Sequence, residues 1–223
     1  MSAATTEFTA EREAMVERQL KRRGIIEPSI LEAFRAVPRE AFVGEEHTRL
    51  AYGDHPLSIE AGQTISQPYV VGLMIQAAAR GAGDTVLEVG SGSGYASAVI
   101  SRIAARVIGI ERQPDLVAAS RERLRRLGYD NIEIVEGDGT RGWRDGAPYD
   151  AILAAASGSH VPESLLAQLA PGGRLVIPLG PPGDVQQLVK VTRQEDGILK
   201  KEDLGAVRFV PLIGEEGWSD ARA

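Results

Sequence analysis

Val86-Leu87-Glu88-Val89-Gly90-Ser91-Gly92-Ser93-Gly94-Tyr95 is the stretch on which the fold of this chain turns. Residues 85–89 are almost continuously apolar and β-branched, the pattern of a strand covered on both faces. Gly90, Gly92 and Gly94 then alternate. Glycine admits positive φ and lets a ligand lie against bare peptide. From Tyr95 to about residue 105 the apolar residues fall at helical spacing, so the free N–H groups of a helix start would point into the glycine turn.

A glycine turn between a strand and a helix suits a nucleotide-like ligand, and the spacing decides which. A dinucleotide fingerprint requires G-x-G-x-x-G. Counted from Gly90, the third glycine position falls on Tyr95, and counted from Gly92 it falls on Ser97. A phosphate-binding P-loop requires Gly-Lys-Ser/Thr, and this stretch has no lysine. The pattern present is acidic-x-Gly-x-Gly-x-Gly, with Glu88 at the strand end. It resembles motif I of the class I S-adenosylmethionine-dependent methyltransferases. A ligand carrying an ammonium and a sulfonium, and no pyrophosphate, suits an acidic residue better than a lysine. The alternative is a tight turn with no ligand.

Downstream, residues 106–110 form a second predicted strand with Glu111 at its end, about 20 residues past the glycines, where a carboxylate can accept both ribose hydroxyls. A solvated carboxylate at a strand end is the competing reading. Residues 114–127 form an amphipathic helix closed by Gly128, and its arginines read as a solvated face. A third strand, 132–136, runs into Gly137-Asp138-Gly139. That aspartate suits either an exocyclic amine such as adenine's or an ordinary Asx turn. Residues 149–156 read as a fourth strand, 162–170 as a helix, and 174–178 as a strand after Pro171-Gly172-Gly173. Residues 186–193 and 206–210 read as a closing antiparallel pair. Alternating βα units of this kind predict an α/β fold with a doubly wound, mostly parallel, Rossmann-like sheet, whose ligands bind at the C-terminal strand ends. Glu88, Glu111 and Asp138 fall on three successive ends of that sort.

Upstream, residues 1–10 are small and polar and read as loose. Residues 11–23 and 28–37 read as helices ended by Gly24 and Pro38. Residues 51–68 show no periodicity, and an irregular polar segment of that length inside a domain points to function. A further helix follows Pro68, with Ser66 or Gln67 as its N-cap. Residues 1–60 thus read as a helical extension and 61–223 as the ligand-binding domain. The chain has 223 residues, 43% of them hydrophobic, a net charge of −6 and no cysteine. An acidic chain is a poor phosphate binder, so no nucleic-acid partner is expected. The lack of cysteine excludes disulfides, thiolate metal sites and a cysteine nucleophile, and no metal is expected. There is no secretory signal pattern and no apolar run approaching the ~20 residues of a membrane span, so a cytoplasmic monomer without membrane attachment is expected.

Seven short stretches, taken together, carry a more specific resemblance. They are Val37-Pro38-Arg39-Glu40-Ala41-Phe42-Val43, Ala51-Tyr52 through Pro56-Leu57, Gly62-Gln63-Thr64-Ile65-Ser66-Gln67-Pro68, Gly137-Asp138-Gly139, Ala147-Pro148-Tyr149-Asp150-Ala151-Ile152, Pro171-Gly172-Gly173 and Arg208-Phe209-Val210-Pro211-Leu212. In that order, around motif I, they resemble the protein-L-isoaspartate O-methyltransferase family. The resemblance implies methyl transfer from S-adenosylmethionine to the α-carboxylate of isoaspartyl residues in damaged proteins, initiating their repair. It puts Ser66 at the catalytic serine. Gln63, Thr64, Ile65, Ser66 and the backbone at Val210 would hold the substrate. Glu88, Gly90, Ser91, Gly92, Gly94, Glu111, Arg112, Asp138 and Gly139 would hold the cofactor. Val71 and Ile213 stand where some relatives carry polar residues. Another class I methyltransferase is the alternative. An amino-methylating enzyme would want Asn/Asp-Pro-Pro-aromatic after the fourth strand, where this chain has Ala155-Ala156-Ser157-Gly158.

Overall fold

The computed structural model describes residues 7–78 and 81–219. Seven strands form the main sheet: β3 (Thr85–Val89), β4 (Arg106–Glu111), β5 (Ile132–Glu136), β6 (Tyr149–Ala154), β7 (Leu169–Leu179), β8 (Gln186–Arg193) and β9 (Leu199–Val207). A two-residue hairpin, β1 (Leu57–Ser58) and β2 (Thr64–Ile65), precedes them. The helices are α1 (Thr9–Met15), α2 (Pro28–Ala36), α3 (Pro68–Ala78), α4 (Tyr95–Ile100), α5 (Pro114–Arg126) and α6 (Glu163–Ala167). Among the described residues no helix is long and apolar enough to cross a membrane.

The sheet order is β5-β4-β3-β6-β7-β8-β9, parallel from β5 to β7 and antiparallel in the last two pairings. β3 lies between β4 and β6, with Leu87 opposite Ile108 on one side and Ile152 on the other. The chain leaves β3 toward β4 and leaves β6 toward β7. The connections after β3 and β6 therefore diverge and open a crevice at their C-terminal ends. Alternation along the strands divides the core. Val86, Val107, Ala151 and Val176 pack with residues of helices α1 to α5, and Leu87, Ile108, Ile152 and Leu175 pack on the opposite face with Leu165 of α6.

The N-terminal helices share the first of these layers. Phe34 and Phe42 set their ring edges against Tyr95 at 6.2 and 5.5 Å between centroids. α1 begins at Thr9, two residues earlier than the periodicity suggests, and continues as a π turn (Val16–Leu20) and a 3-10 turn (Lys21–Arg23) to Gly24, whose φ is +94°. Of the leading stretch expected to be loose, residues 1–6 lie outside the described residues.

Several elements differ from the pattern read in the sequence. The irregular stretch 51–68 contains the β1–β2 hairpin, with Leu57 opposite Ile65. Two residues per strand are too few for any periodicity to show. α4 is only six residues long. The fourth strand stops at Ala154 rather than 156. α6 ends at Ala167, and β7 already begins at Leu169 and runs across Pro171-Gly172-Gly173, which forms a bulge in its pairing with β6. The 2.9 Å bond from Tyr149 N–H to the Gln168 carbonyl holds that early start. The last strand is Leu199–Val207, not 206–210. Its residues are mostly exposed and include the charged run Lys200-Lys201-Glu202-Asp203, as suits a sheet edge, so no apolar alternation marks it.

Gly109 in β4 is where the glycine turn needs room. A Cβ there would stand 2.6 Å from Ile134 Cδ1 and 2.8 Å from Ser91 Cβ. Gly109→Ala is therefore expected to lower the free energy of unfolding by about 1–3 kcal/mol. The check is urea denaturation, where the midpoint should fall with the slope unchanged. An unaltered midpoint would mean the turn does not rest on β4.

Candidate active site

The glycine turn takes its shape from three left-handed residues, Gly90, Gly92 and Gly94, with φ of +79°, +51° and +85°. An L side chain at any of them would be strained. Gly90 N–H and Ser91 N–H donate to the Ile110 carbonyl at 2.9 and 3.2 Å, so the turn lies over the end of β4. Glu111 fastens it there. One carboxylate oxygen accepts from Gly92 N–H at 3.0 Å, and the other accepts from Arg112 N–H at 2.8 Å and Gln113 N–H at 3.0 Å.

Glu88 is buried on β3, and the Ser97 hydroxyl donates to its carboxyl group. Burial pushes its pKa up to about 8, against the pull of the Ser97 hydrogen bond and with added repulsion from Glu111. Burial therefore favours its protonated form around neutral pH. Ser91 is also buried, and its hydroxyl has no partner.

These residues line a cavity of about 1160 Å³ at the C-terminal ends of β3 and β6. The same cavity takes in Gln63, Thr64, Ile65 and Ser66 from one side, and residues 204–213 from the other. Of the residues picked out in the sequence, Glu88, Gly90, Ser91, Gly92, Glu111, Arg112, Gly139 and Val210 also line it, as do Val71 and Ile213. Gly94 and Asp138 are not among the lining residues. Gly94 turns the chain into α4, and a Cβ on it would meet Leu124 at 3.2 Å. Asp138 caps the turn Gly139–Arg141: one oxygen accepts from Thr140 N–H at 2.9 Å and Thr140 Oγ1 at 2.7 Å, and the other accepts from Glu215 N–H at 2.7 Å. Its carboxylate ties the C-terminal segment to the end of β5, which is the Asx-turn reading of this residue.

The 63–67 segment is held by long-range bonds. Gln67, the residue before Pro68, donates from its amide nitrogen to the Asp54 carbonyl at 3.0 Å and the Asp54 carboxylate at 2.8 Å. Arg39 donates to the Ser66 carbonyl at 2.8 Å and the Ala51 carbonyl at 2.7 Å. Ser66 sits one position outside the helix cap, and among the described residues its hydroxyl makes no hydrogen bond. It lines the cavity instead.

Two contributors escape the sequence reading. Arg123, placed on a solvated helix face by its neighbours, is nearly buried; it donates to the Ser93 carbonyl at 3.0 Å and pairs with Glu60 at 3.0 Å, joining the glycine turn to the 60–62 turn. Arg39 lies in a stretch quoted above only for its resemblance, and no local spacing marks it as a support for Ser66.

A mostly parallel sheet of this order, with a glycine turn at the end of β3 and a carboxylate fastened at the end of β4, is the architecture of the class I S-adenosylmethionine-dependent methyltransferases. The family model described as protein-L-isoaspartate(D-aspartate) O-methyltransferase matches residues 10–217. The chain belongs to the protein-L-isoaspartate O-methyltransferase family. It is similar to protein-L-isoaspartate O-methyltransferase 2 of Pelobacter propionicus, 53% identical over 93% of this chain and 92% of that one. It is 51% identical to protein-L-isoaspartate O-methyltransferase 1 of Rhodopseudomonas palustris over 98% of this chain and 89% of that one. A solved protein-L-isoaspartate O-methyltransferase superposes with a TM-score of 0.84 at 30% identity, covering 92% of this chain and 67% of its own. A Plasmodium falciparum relative solved in complex with S-adenosyl-L-homocysteine gives 0.76 at 31% identity, covering 91% and 98%.

The raised pKa of Glu88 has a measurable sign. Folded Glu88 keeps its proton up to about 8, while the ordinary value is 4.5. The folded state therefore binds more protons than the unfolded state between those values. Stability is full below the lower value and falls as pH rises toward the higher, by about 1.4 kcal/mol per pH unit from this group. Glu88→Gln removes that slope. The stability difference between Glu88→Gln and the parent should shift in the variant's favour across this window, read by urea denaturation at several pH values. A difference independent of pH would mean Glu88 is already ionised in the folded chain.

Proposed function

We propose that this cavity is a two-sided methyl-transfer site, with the glycine turn for the methyl donor and the 63–66 segment for the acceptor. The chain transfers a methyl group from S-adenosylmethionine to the α-carboxylate of L-isoaspartyl residues in damaged proteins, the first step of their repair. The observation that carries the two-sided reading is the shared cavity: Ser66 and Glu111, 45 residues apart in sequence, line the same space.

The residues fit such a donor. Three glycines expose backbone along one wall, the buried Ser91 hydroxyl lacks a partner, and Glu111 retains lone pairs beside its three amide bonds. Glu88, Gly90, Ser91, Gly92, Gly94, Glu111, Arg112 and Gly139 form or shape the donor side. Asp138 would act from behind by holding the turn that carries Gly139. When bound, S-adenosylmethionine supplies a methyl group activated by its sulfonium. The acceptor is a carboxylate, ionised at neutral pH because its pKa is near 4, so no general base is needed. His47, His55 and His160 are not among the residues lining the cavity. The work left to the protein is orientation and exclusion of water. Ser66 would orient the acceptor oxygen by donating its hydroxyl, with Gln63, Thr64, Ile65 and the backbone at Val210 forming the rest of the seat. Residues 8–60 would brace that seat, since their apolar side chains share the core under it. The net charge of −6 supports a protein or peptide partner and no nucleic acid. A cytoplasmic monomer without membrane attachment completes the reading.

The direct test is radiolabelled methyl transfer to an isoaspartyl peptide, with the aspartyl peptide as control; equal labelling of both would sink the acceptor assignment. Ser66→Ala is expected to lower kcat/KM by tenfold or more (about 1.4 kcal/mol or above) at little cost to donor affinity, and Ser66→Thr to retain more activity. A stable Ser66→Ala enzyme of full activity would leave orientation to the loop backbone. Glu111→Ala is expected to weaken donor binding by about 1–3 kcal/mol through loss of charge-assisted hydrogen bonds. Calorimetry reads this directly, and an unchanged dissociation constant would remove Glu111 from the donor side.

A further inference from the structure

Arg39 is the largest charged side chain that is fully buried, with 0% of its surface exposed. Its Nε donates to the Ala51 carbonyl at 2.7 Å and Nη2 to the Ser66 carbonyl at 2.8 Å. Its guanidinium carbon lies 4.7 Å from the centre of the Tyr95 ring. Nη1 is buried and has no hydrogen-bond partner. No carboxylate pairs with Arg39 among the described residues. The adjacent Glu40 is taken by Arg12 at 3.1 Å and by the Tyr52 hydroxyl. Among the described residues its partners are two carbonyls and the side chain of Tyr95, none of them a carboxylate. A buried charge is costly unless it is paired, and a guanidinium does not escape by losing its proton. The chain therefore carries an uncompensated positive charge one hydrogen bond away from the backbone of Ser66, directly behind the wall where an anion is expected to sit.

We propose that Arg39 is the buried counter-charge for the acceptor: the isoaspartyl α-carboxylate supplies, across the Ser66 peptide, the negative charge that the folded chain lacks, while the two donor arms of the guanidinium fix the height of the 64–66 segment. The proposal rests on the placement of the acceptor at that segment. Arg39 does not line the cavity and is a positioning residue. Its field acts on the substrate and not on the product. Methyl transfer forms the O–CH₃ bond as the C–S bond breaks, so carboxylate and sulfonium become a neutral ester and a neutral thioether. The attraction that seats the acid is gone once the ester exists, which favours release. Because the carboxylate loses charge on the way to the transition state, the charge of Arg39 acts on substrate binding more than on turnover.

The test compares two peptides that differ only in charge, an isoaspartyl peptide and its α-carboxamide counterpart, by calorimetry on the full chain with S-adenosylhomocysteine present. Salt of about 0.5 M screens the cavity's more exposed arginines, Arg23, Arg112 and Arg208, and leaves a buried charge effective. The parent is expected to bind the acid about tenfold tighter than the amide, and Arg39→Met to bring that ratio to about twofold or less. Arg39→Lys keeps the charge but loses the fork. It should weaken both peptides while keeping most of the ratio. A post that merely holds the loop would weaken acid and amide equally and leave the ratio intact in Arg39→Met, which overturns the proposal. If Arg39→Met does not fold, the parent and Arg39→Lys decide. Equal affinity of the parent for the two peptides, or loss of the ratio in Arg39→Lys, overturns it. Failure of the parent to methylate any isoaspartyl peptide would instead overturn the placement of the acceptor, so the two ideas fail separately.

Discussion

Three backbone N–H groups converging on the carboxylate of Glu111 hold this site together. One comes from the glycine turn after β3 and two from the turn after β4, so a single side chain locks two strand ends into one wall. Backbone amides at turns are costly to bury unpaired, and a carboxylate is their best acceptor. The glycine turn can reach Glu111 only because Gly109 leaves space beneath Ser91. Arg123 then closes the far side of the turn through the Ser93 carbonyl and carries the link on to Glu60. The glycine-turn side of the cavity is thus built from short, directional contacts around a backbone with almost no side chains of its own.

The opposite side of the cavity is built differently. The 63–66 segment has only a two-residue pairing to define it, and its position comes from groups far away in sequence. Arg39 reaches it from below and Gln67 anchors it to Asp54. Behind Arg39, the buried Arg12–Glu40 pair and the Tyr52 hydroxyl tie α1 to the segments that follow α2. Buried ion pairs of this kind contribute little net stability but are costly to break singly, so they specify an arrangement more than they strengthen it. This gives the N-terminal helices a function beyond covering the sheet: they set the frame in which Ser66 faces the cavity.

The C-terminal strands supply the remaining side. β8 and β9 pair antiparallel at the sheet edge, and the chain leaving β9 crosses the cavity through residues 208–213. The Val210 carbonyl accepts from Ser157 N–H at 2.8 Å, so this crossing is fastened to the segment just past β6. Asp138 fixes its far end through Glu215. Gly94 and Asp138 stand in the turns beside the cavity and are not among its lining residues.

Whatever depends on neighbours a few residues apart can be read directly from the order of the residues. The β3 strand, its three glycines, the helices opened by Pro28, Pro68 and Pro114, and the carboxylate closing β4 all rest on local patterns of burial, φ and capping, and all are legible in order. Those signals place Glu88, Glu111 and the glycines at strand ends, and strand ends in a doubly wound sheet are where a ligand binds. Which polar groups meet across the chain was settled by the closed fold. It took Arg123 off the solvated face, gave the carboxylate of Asp138 to Thr140 and Glu215, turned part of an irregular stretch into a hairpin and buried Arg39 under Ser66. β9 escaped for a related reason, since an edge strand facing solvent carries no apolar alternation. The Arg39–Ser66, Arg123–Ser93 and Asp138–Glu215 contacts join residues 27, 30 and 77 positions apart, and no periodicity records a contact that only the closed fold creates.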